Sequence, residues 1–168
     1  MNPFPNPIGI SVLIFGYNST PRIMQVLQHI ADQNISSEIK WEVILMENAS
    51  KDNTAELGIQ IWKEIGKSIP FKVVKENKEG LIYSRMTAIE TALYEYIVFV
   101  DDDNLLEQKY LHGVYNIMSE HSNIGAVGGK IEAVYETSPP KWLKKIETSL
   151  AIGLGEGFII KKMSESIH

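Results

Sequence analysis

Three consecutive aspartates, Asp101-Asp102-Asp103, follow directly on the apolar run Tyr96-Ile97-Val98-Phe99-Val100. The run is short, β-branched and aromatic, which is the composition of a buried strand rather than a helix. Carboxylates at the carboxyl end of such a strand lie where open α/β sheets bind their ligands. Two unit charges ~4 Å apart repel by about 1 kcal/mol in water and by ~4 kcal/mol at an effective dielectric of ~20, so three in a row call for compensation. Carboxylate oxygens are hard donors, which suits Mg²⁺ or Mn²⁺ rather than zinc, and Mg²⁺ usually completes its shell with phosphate oxygens. Two readings of the triplet stay open: a metal and phosphate site, or an acidic loop in which Asp103 or Asn104 caps the following helix. No Asp-x-Asp-x-Asp-Gly run follows, which counts against a calcium loop.

Three other segments carry comparable chemistry: Phe15-Gly16-Tyr17-Asn18, Glu47 to Asp52, and Glu76-Asn77-Lys78-Glu79-Gly80. Each follows an apolar run, so all four should meet at one sheet edge. The Glu47 carboxylate suits the N–H of a nucleobase, or it is a solvated turn residue. Arg85 is one of two arginines, with Arg22. Its guanidinium suits a diphosphate or a base carbonyl, or else a salt bridge to Glu79. Lys75 and Lys78 are weaker candidates. His29, His112, His121 and His168 show no metal-ligand spacing. Gly-x-Ser-x-Gly, Walker and Rossmann glycine signatures are absent, which counts against a hydrolase, an ATPase or a dehydrogenase. Trp142, beside Pro139-Pro140, suits either a sugar-acceptor groove or packing over the sheet edge.

The elements that must position these residues alternate strand and helix. Strands are expected over Ile10 to Phe15, Glu42 to Met46, Phe71 to Lys75 and Tyr96 to Val100. Helix one should be capped by Thr20, with Pro21 at its first position and Ile23, Val26, Leu27 and Ile30 inward. Helix two should be capped by Ser50 or Asp52, bury Leu57, Ile61 and Ile65, and end at Gly66. Helix three should bury Ile82, Met86, Ile89 and Leu93, and helix four Tyr110, Leu111, Val114 and Met118. Ile124 to Ile131 reads as a strand broken at Gly128-Gly129, and Lys141 to Ile152 as a short amphipathic helix. Four βα units in succession imply an α/β fold: a mostly parallel sheet with helices on both faces.

With 168 residues, 44% hydrophobic and 22% charged, the chain suits one globular domain. Its formal charge of −5 argues against a nucleic-acid partner. The absence of cysteine removes disulfides and thiolate sites and is compatible with the cytoplasm. The proline-punctuated start has neither the basic region nor the apolar core of a signal peptide. No run approaches the ~18 to 20 apolar residues needed to span a bilayer. Contact with the inner face of a membrane stays open.

Taken together, these segments resemble the family 2 glycosyltransferases, which have the GT-A, Rossmann-like fold. Ile10 to Asn18 resembles the family's opening strand, which ends in Pro-Thr-Tyr-Asn. Glu42 to Thr54 resembles its Asp-Asp/Asn-Gly/Ala-Ser-x-Asp-x-Thr segment, Asn77 to Arg85 its Asn-x-Gly…Ala-Arg-Asn stretch, and Val98 to Asp103 its Asp-x-Asp motif. Order and spacing match over roughly Ile10 to Ile131. The resemblance implies a nucleotide-diphospho-sugar donor, usually UDP-linked, held by Phe15, Tyr17, Glu47, Asn77, Gly80, Arg85, Asp101 and Asp102. Asp103 would bind the Mg²⁺ or Mn²⁺ that bridges the diphosphate. It implies inverting transfer to a sugar, glycan or lipid-linked acceptor, as in polysaccharide biosynthesis.

Departures are Glu47 for the usual Asp, Phe15-Gly16 for Pro-Thr, and Met86 for the Asn after the arginine. The general base of the family lies in an acceptor half beyond the Gly-Gly strand. Glu147, Glu156 and Glu165 are the nearby acids, and none matches it. The expected organisation is a tail over 1–9, a donor-binding domain over 10–135, and the start of an incomplete acceptor side over 136–168. An uncovered donor half would expose apolar surface and invite self-association into a homo-oligomer. Two other functions remain open. A degenerate domain would bind nucleotide sugars without catalysis. A nucleotidyltransferase would be expected to carry a Gly-rich, basic loop after the first strand, which Phe15 to Asn18 does not supply.

Overall fold

The computed structural model describes residues 6–66, 68–135, 137–143, 146 and 159–162. In chain order the described elements are β1 (Ile10–Gly16), α1 (Ile23–Ala31), β2 (Trp41–Asn48), α2 (Thr54–Ile65), β3 (Phe71–Glu76), α3 (Leu81–Thr91), β4 (Tyr96–Asp101), α4 (Tyr110–Glu120), β5 (Ile124–Gly128) and β6 (Ile159–Lys162). The chain divides into two compact units, with the boundary between Tyr115 and Asn116.

The first unit is built on a parallel sheet in the order β3-β2-β1-β4. Strand β1 is buried along its whole length, as is β2 up to Glu47. A central parallel strand is covered on both faces, so its sequence reads as a continuous apolar run rather than an alternation. The expected α/β class, a parallel sheet with helices on both faces, is what the chain adopts. On one face Leu13, Phe15, Ile44 and Met46 form a core with Ala88 and Ala92, at and just after the end of α3. On the other face α2 stacks Trp62 on Phe71 at 5.0 Å. There Gly58 lets α2 approach β2 closely, since a Cβ at that position would lie 2.6 Å from Leu45 Cδ2.

The helices depart from expectation in three instructive ways. Helix α1 starts at Ile23, and Thr20 does not cap it. A turn precedes it, in which Ser19 O accepts from Arg22 N at 2.8 Å and Ile23 N at 2.9 Å. Helix α2 buries Thr54, Ala55, Gly58, Ile61 and Trp62, a face rotated from the expected Leu57, Ile61 and Ile65 toward the close approach at Gly58. Helix α3 seats on the sheet through Ser84 and Ala88, while Ile82, Met86, Ile89 and Leu93 are exposed. The sheet side is already filled by Leu13, Phe15, Ile44 and Met46, so only small helix residues fit against it.

In the second unit β5 pairs antiparallel with β6, with a register shift between Ile124 and Ala126. Strand β5 stops at Gly128 instead of running on to Ile131. Trp142 is exposed. Most of the helix expected over Lys141 to Ile152 lies outside the described residues, as do Glu147, Glu156 and Glu165. Among the described residues no helix is long and apolar enough to cross a membrane.

Candidate functional site

The loops after β1 and β2 are tied to each other side by side. Asn18 N donates to Ser50 Oγ at 3.2 Å, and Asn18 Oδ1 accepts from Lys51 N at 2.9 Å. Ser19 N donates to Thr54 Oγ1 at 2.9 Å. Asp52 Oδ2 accepts from the Thr20 hydroxyl at 2.6 Å and its amide at 3.1 Å, and Oδ1 accepts from the Thr54 hydroxyl at 2.5 Å and its amide at 3.2 Å. Burial pushes the Asp52 carboxyl up, but these four bonds favour its charged form and bring it down to about 2. Both loops turn through left-handed backbone, at Asn18 (φ 50°) and Ala49 (φ 52°).

The aspartates at the end of β4 form a turn closed by Asn104 N donating to Asp101 O at 3.1 Å. Asp102 is engaged: its Oδ2 accepts from the Ser19 hydroxyl and from Arg22 Nη2 at 2.7 Å. That hydrogen bond and the charge of Asp102 raise the Arg22 pKa above its already high value. Asp101 and Asp103 are exposed, and neither carboxylate has a hydrogen bond or ion pair among the described residues.

Arg85, in α3, stands over two aromatic rings. Its Cζ lies 5.8 Å from the centroids of both Phe15 and Phe99, which stack on each other at 5.7 Å. Its buried Nε has no partner among the described residues, and no carboxylate pairs with the guanidinium there. Asn48 Oδ1 is likewise buried and unpartnered. Strand alternation puts Asn48 on the same face as Met46 and Phe15, the face that α3 covers. Buried polar atoms of this kind are rare unless a ligand or water completes them.

The structure thus brings Phe15, Arg85 and Asp101 to one edge, with Phe15 paired in register to Asp101. Tyr17 is exposed in the loop beyond. Glu47 is buried, and its Oε1 accepts from Ser50 N, so its carboxylate already serves the turn. Asn77 is exposed, and Gly80 precedes α3 at φ 125°. Glu76 anchors their loop, accepting from Lys78 N at 2.8 Å and Thr87 Oγ1 at 2.6 Å; the Thr87 bond is the main reason its carboxyl is held below the usual range. Sequence reasoning missed Arg22, Ser19, Asn48 and Phe99. Only Arg22 left a signal, as one of two arginines in an acidic chain.

Among the described residues no three acid or imidazole side chains converge on one point. Two free carboxylates, Asp101 and Asp103, are nonetheless a donor set that fits Mg²⁺ or Mn²⁺ when ligand phosphates supply further oxygens.

A parallel sheet covered on both faces, with acids at its carboxyl-end loops and the unpaired Arg85 in α3 beside them, is an α/β domain, here of GT-A fold. The family model "Glycosyl transferase family 2" matches residues 11–164, and the chain belongs to that family. It is 25% identical over 119 residues to the poly(ribitol-phosphate) beta-N-acetylglucosaminyltransferase TarP of Staphylococcus aureus, covering 71% of this chain and 36% of TarP. It is 28% identical over 113 residues to the putative teichuronic acid biosynthesis glycosyltransferase TuaG of Bacillus subtilis, covering 67% of this chain and 43% of TuaG. The crystal structure of S. aureus TarS 1-349 in complex with UDP superposes with a TM-score of 0.65 at 23% identity, covering 80% of this chain and 38% of that one. A Pyrobaculum calidifontis mannosyltransferase in complex with GDP-Man and Mn²⁺ gives 0.62 at 21% identity, covering 78% and 37%. The chain spans about two fifths of the length of these relatives.

Proposed function

We propose that this chain carries the donor-binding face of a glycosyltransferase that moves a sugar from a nucleotide-diphospho-sugar, UDP-linked in the first instance, to an acceptor hydroxyl with inversion. The observation that carries this reading is the unpaired Arg85, held over Phe15 and Phe99, on the sheet edge that also bears the free carboxylates Asp101 and Asp103. Arg85 would meet the diphosphate. Tyr17 and Asn48 would face the base, and Asn77 and Gly80 would border the pocket. Asp101 and Asp103 would hold the divalent cation. When bound, the cation supplies Lewis-acid stabilisation of the leaving diphosphate. The acceptor oxygen would form its bond to the anomeric carbon as the bond to the diphosphate breaks, and its proton would pass to a carboxylate base. None of the described acids is assigned that task.

UDP and UDP-GlcNAc are the first ligands to test, since structures of TarS hold each of them. Calorimetric titration of the chain with UDP should show binding that strengthens with Mn²⁺, and Asp103→Ala should remove that gain. Equal binding with and without Mn²⁺, or a gain untouched by Asp103→Ala, overturns the metal assignment. UDP-GlcNAc binding without transfer or hydrolysis favours a donor-binding domain that needs further sequence for catalysis.

A further inference from the structure

The loop from β4 to α4 is fastened to the start and end of α1 on both sides of one short stretch. Upstream, Asp102 Oδ2 takes the Ser19 hydroxyl and Arg22 Nη2 at 2.7 Å. Downstream, His29 Nδ1 lies 3.1 Å from Leu106 O, Gln33 Nε2 donates to Glu107 O at 2.7 Å, and Asn34 N donates to Gln108 O at 2.7 Å. Gln33 Oε1 then accepts from Leu111 N at 3.0 Å, fixing the start of α4. Between these attachments stand Asp103, Asn104 and Leu105, all exposed.

We propose that Arg22 is a positioning residue. By holding Asp102 against the β1–α1 loop it presents Asp103 outward and keeps Asp102 itself out of metal coordination. This rests on the metal reading of the preceding section. An isolated, solvent-exposed ion pair would be too weak for the task. Here, however, the Asp102 side chain is only 16% exposed, and one of its oxygens receives two donors from a single hydrogen-bonded turn. The pair also neutralises the middle charge of three, so that Asp102 no longer repels the carboxylates on either side of it.

The test is UDP titration of the full chain, with and without Mn²⁺, together with amide hydrogen exchange of the ligand-free chain. Arg22→Met and Asp102→Ala should each weaken Mn²⁺-dependent UDP binding about tenfold, and the double variant no further, because both remove one interaction. Arg22→Lys should stay within about threefold of the parent, and metal-free UDP affinity within about twofold throughout. In Arg22→Met the amides of residues 103–105 should exchange about tenfold faster with no ligand present. Unchanged or tighter Mn²⁺-dependent binding in Arg22→Met, where Asp103→Ala abolishes it, overturns the positioning role and spares the metal site. Losses that add in the double variant, or Asp102→Ala falling as far as Asp103→Ala, overturn it in favour of Asp102 as a direct ligand. An Asp103→Ala variant that binds normally overturns the metal reading, and this proposal with it.

Discussion

Glu42 and Lys72 pair at 3.1 Å at the amino end of the sheet, away from the candidate site, with the carboxylate buried and the lysine only 40% exposed. Glu42 Oε1 also accepts from the Ser11 hydroxyl at 2.8 Å and from Leu93 N at 2.7 Å, and Ser11 Oγ accepts from Tyr94 N at 3.1 Å. One carboxylate thereby joins three strands to the chain leaving α3.

Removing it should strand the buried Ser11 hydroxyl and the part-buried Leu93 amide together. Glu42→Ala is expected to destabilise the chain by about 2–4 kcal/mol, and Lys72→Met by about 1 kcal/mol or less, since its ammonium is partly solvated. Urea unfolding checks both. Equal losses for the two would mean that the ion pair, rather than the hydrogen bonds from Ser11 and Leu93, dominates.

Asp52 makes the site loops acid-sensitive. Its carboxyl sits at about 2 in the folded chain against 3.8 for the free group, so lowering the pH drives protons onto the unfolded state first. The contribution is complete above the unfolded value and disappears as pH falls through about 2. Allowing for solvent screening, it amounts to about 1–2 kcal/mol. Stability curves of parent and Asp52→Asn, measured from pH 6 downward, should therefore converge at the acid end. Curves that stay parallel would remove Asp52 from this role.

Gly80 stands at φ 125°, ψ 131°, a conformation that side chains rarely adopt. A Cβ would have room there, with the nearest atom Tyr83 Cδ2 at 3.5 Å, so the cost of Gly80→Ala is backbone strain alone. We expect a loss of about 1–3 kcal/mol. Weaker UDP binding should accompany it, since α3 carries Arg85. A substitution neutral in both thermal melting and titration would contradict this.

The α3 stripe gives the opposite forecast. Ile82 and Met86 are more than half exposed, so Ile82→Gln with Met86→Gln should change folding stability by no more than about 0.5 kcal/mol. A large loss in denaturant titration would mean that the stripe is covered in solution.

That stripe also marks the limit of what was legible in the sequence. The four parallel strands could be read because each is a dense apolar run closed by polar turn residues, and their boundaries fell within a residue or two. Helix orientation could not be read where small residues do the packing: the spacing of Ile82, Met86, Ile89 and Leu93 is a genuine helical stripe, yet Ser84 and Ala88 face the core. At the site, residue types announced the edge, but partners did not. Nothing local says that Asp102 meets Arg22, 80 positions away. Nor could spacing reveal that Glu47 bonds to its own turn while its neighbour Asn48 turns to the other face.

The Arg22–Asp102 contact has a consequence for descent as well. Because Ser19 and Arg22 share one oxygen of Asp102, a change at position 19, 22 or 102 is expected to alter the constraint on the other two. A lineage that loses the arginine leaves a third uncompensated acid beside two others, and should soon replace the middle aspartate with something small or neutral. Across relatives, the residue at 22 and the middle residue of the triplet should therefore change together, while those flanking it need not.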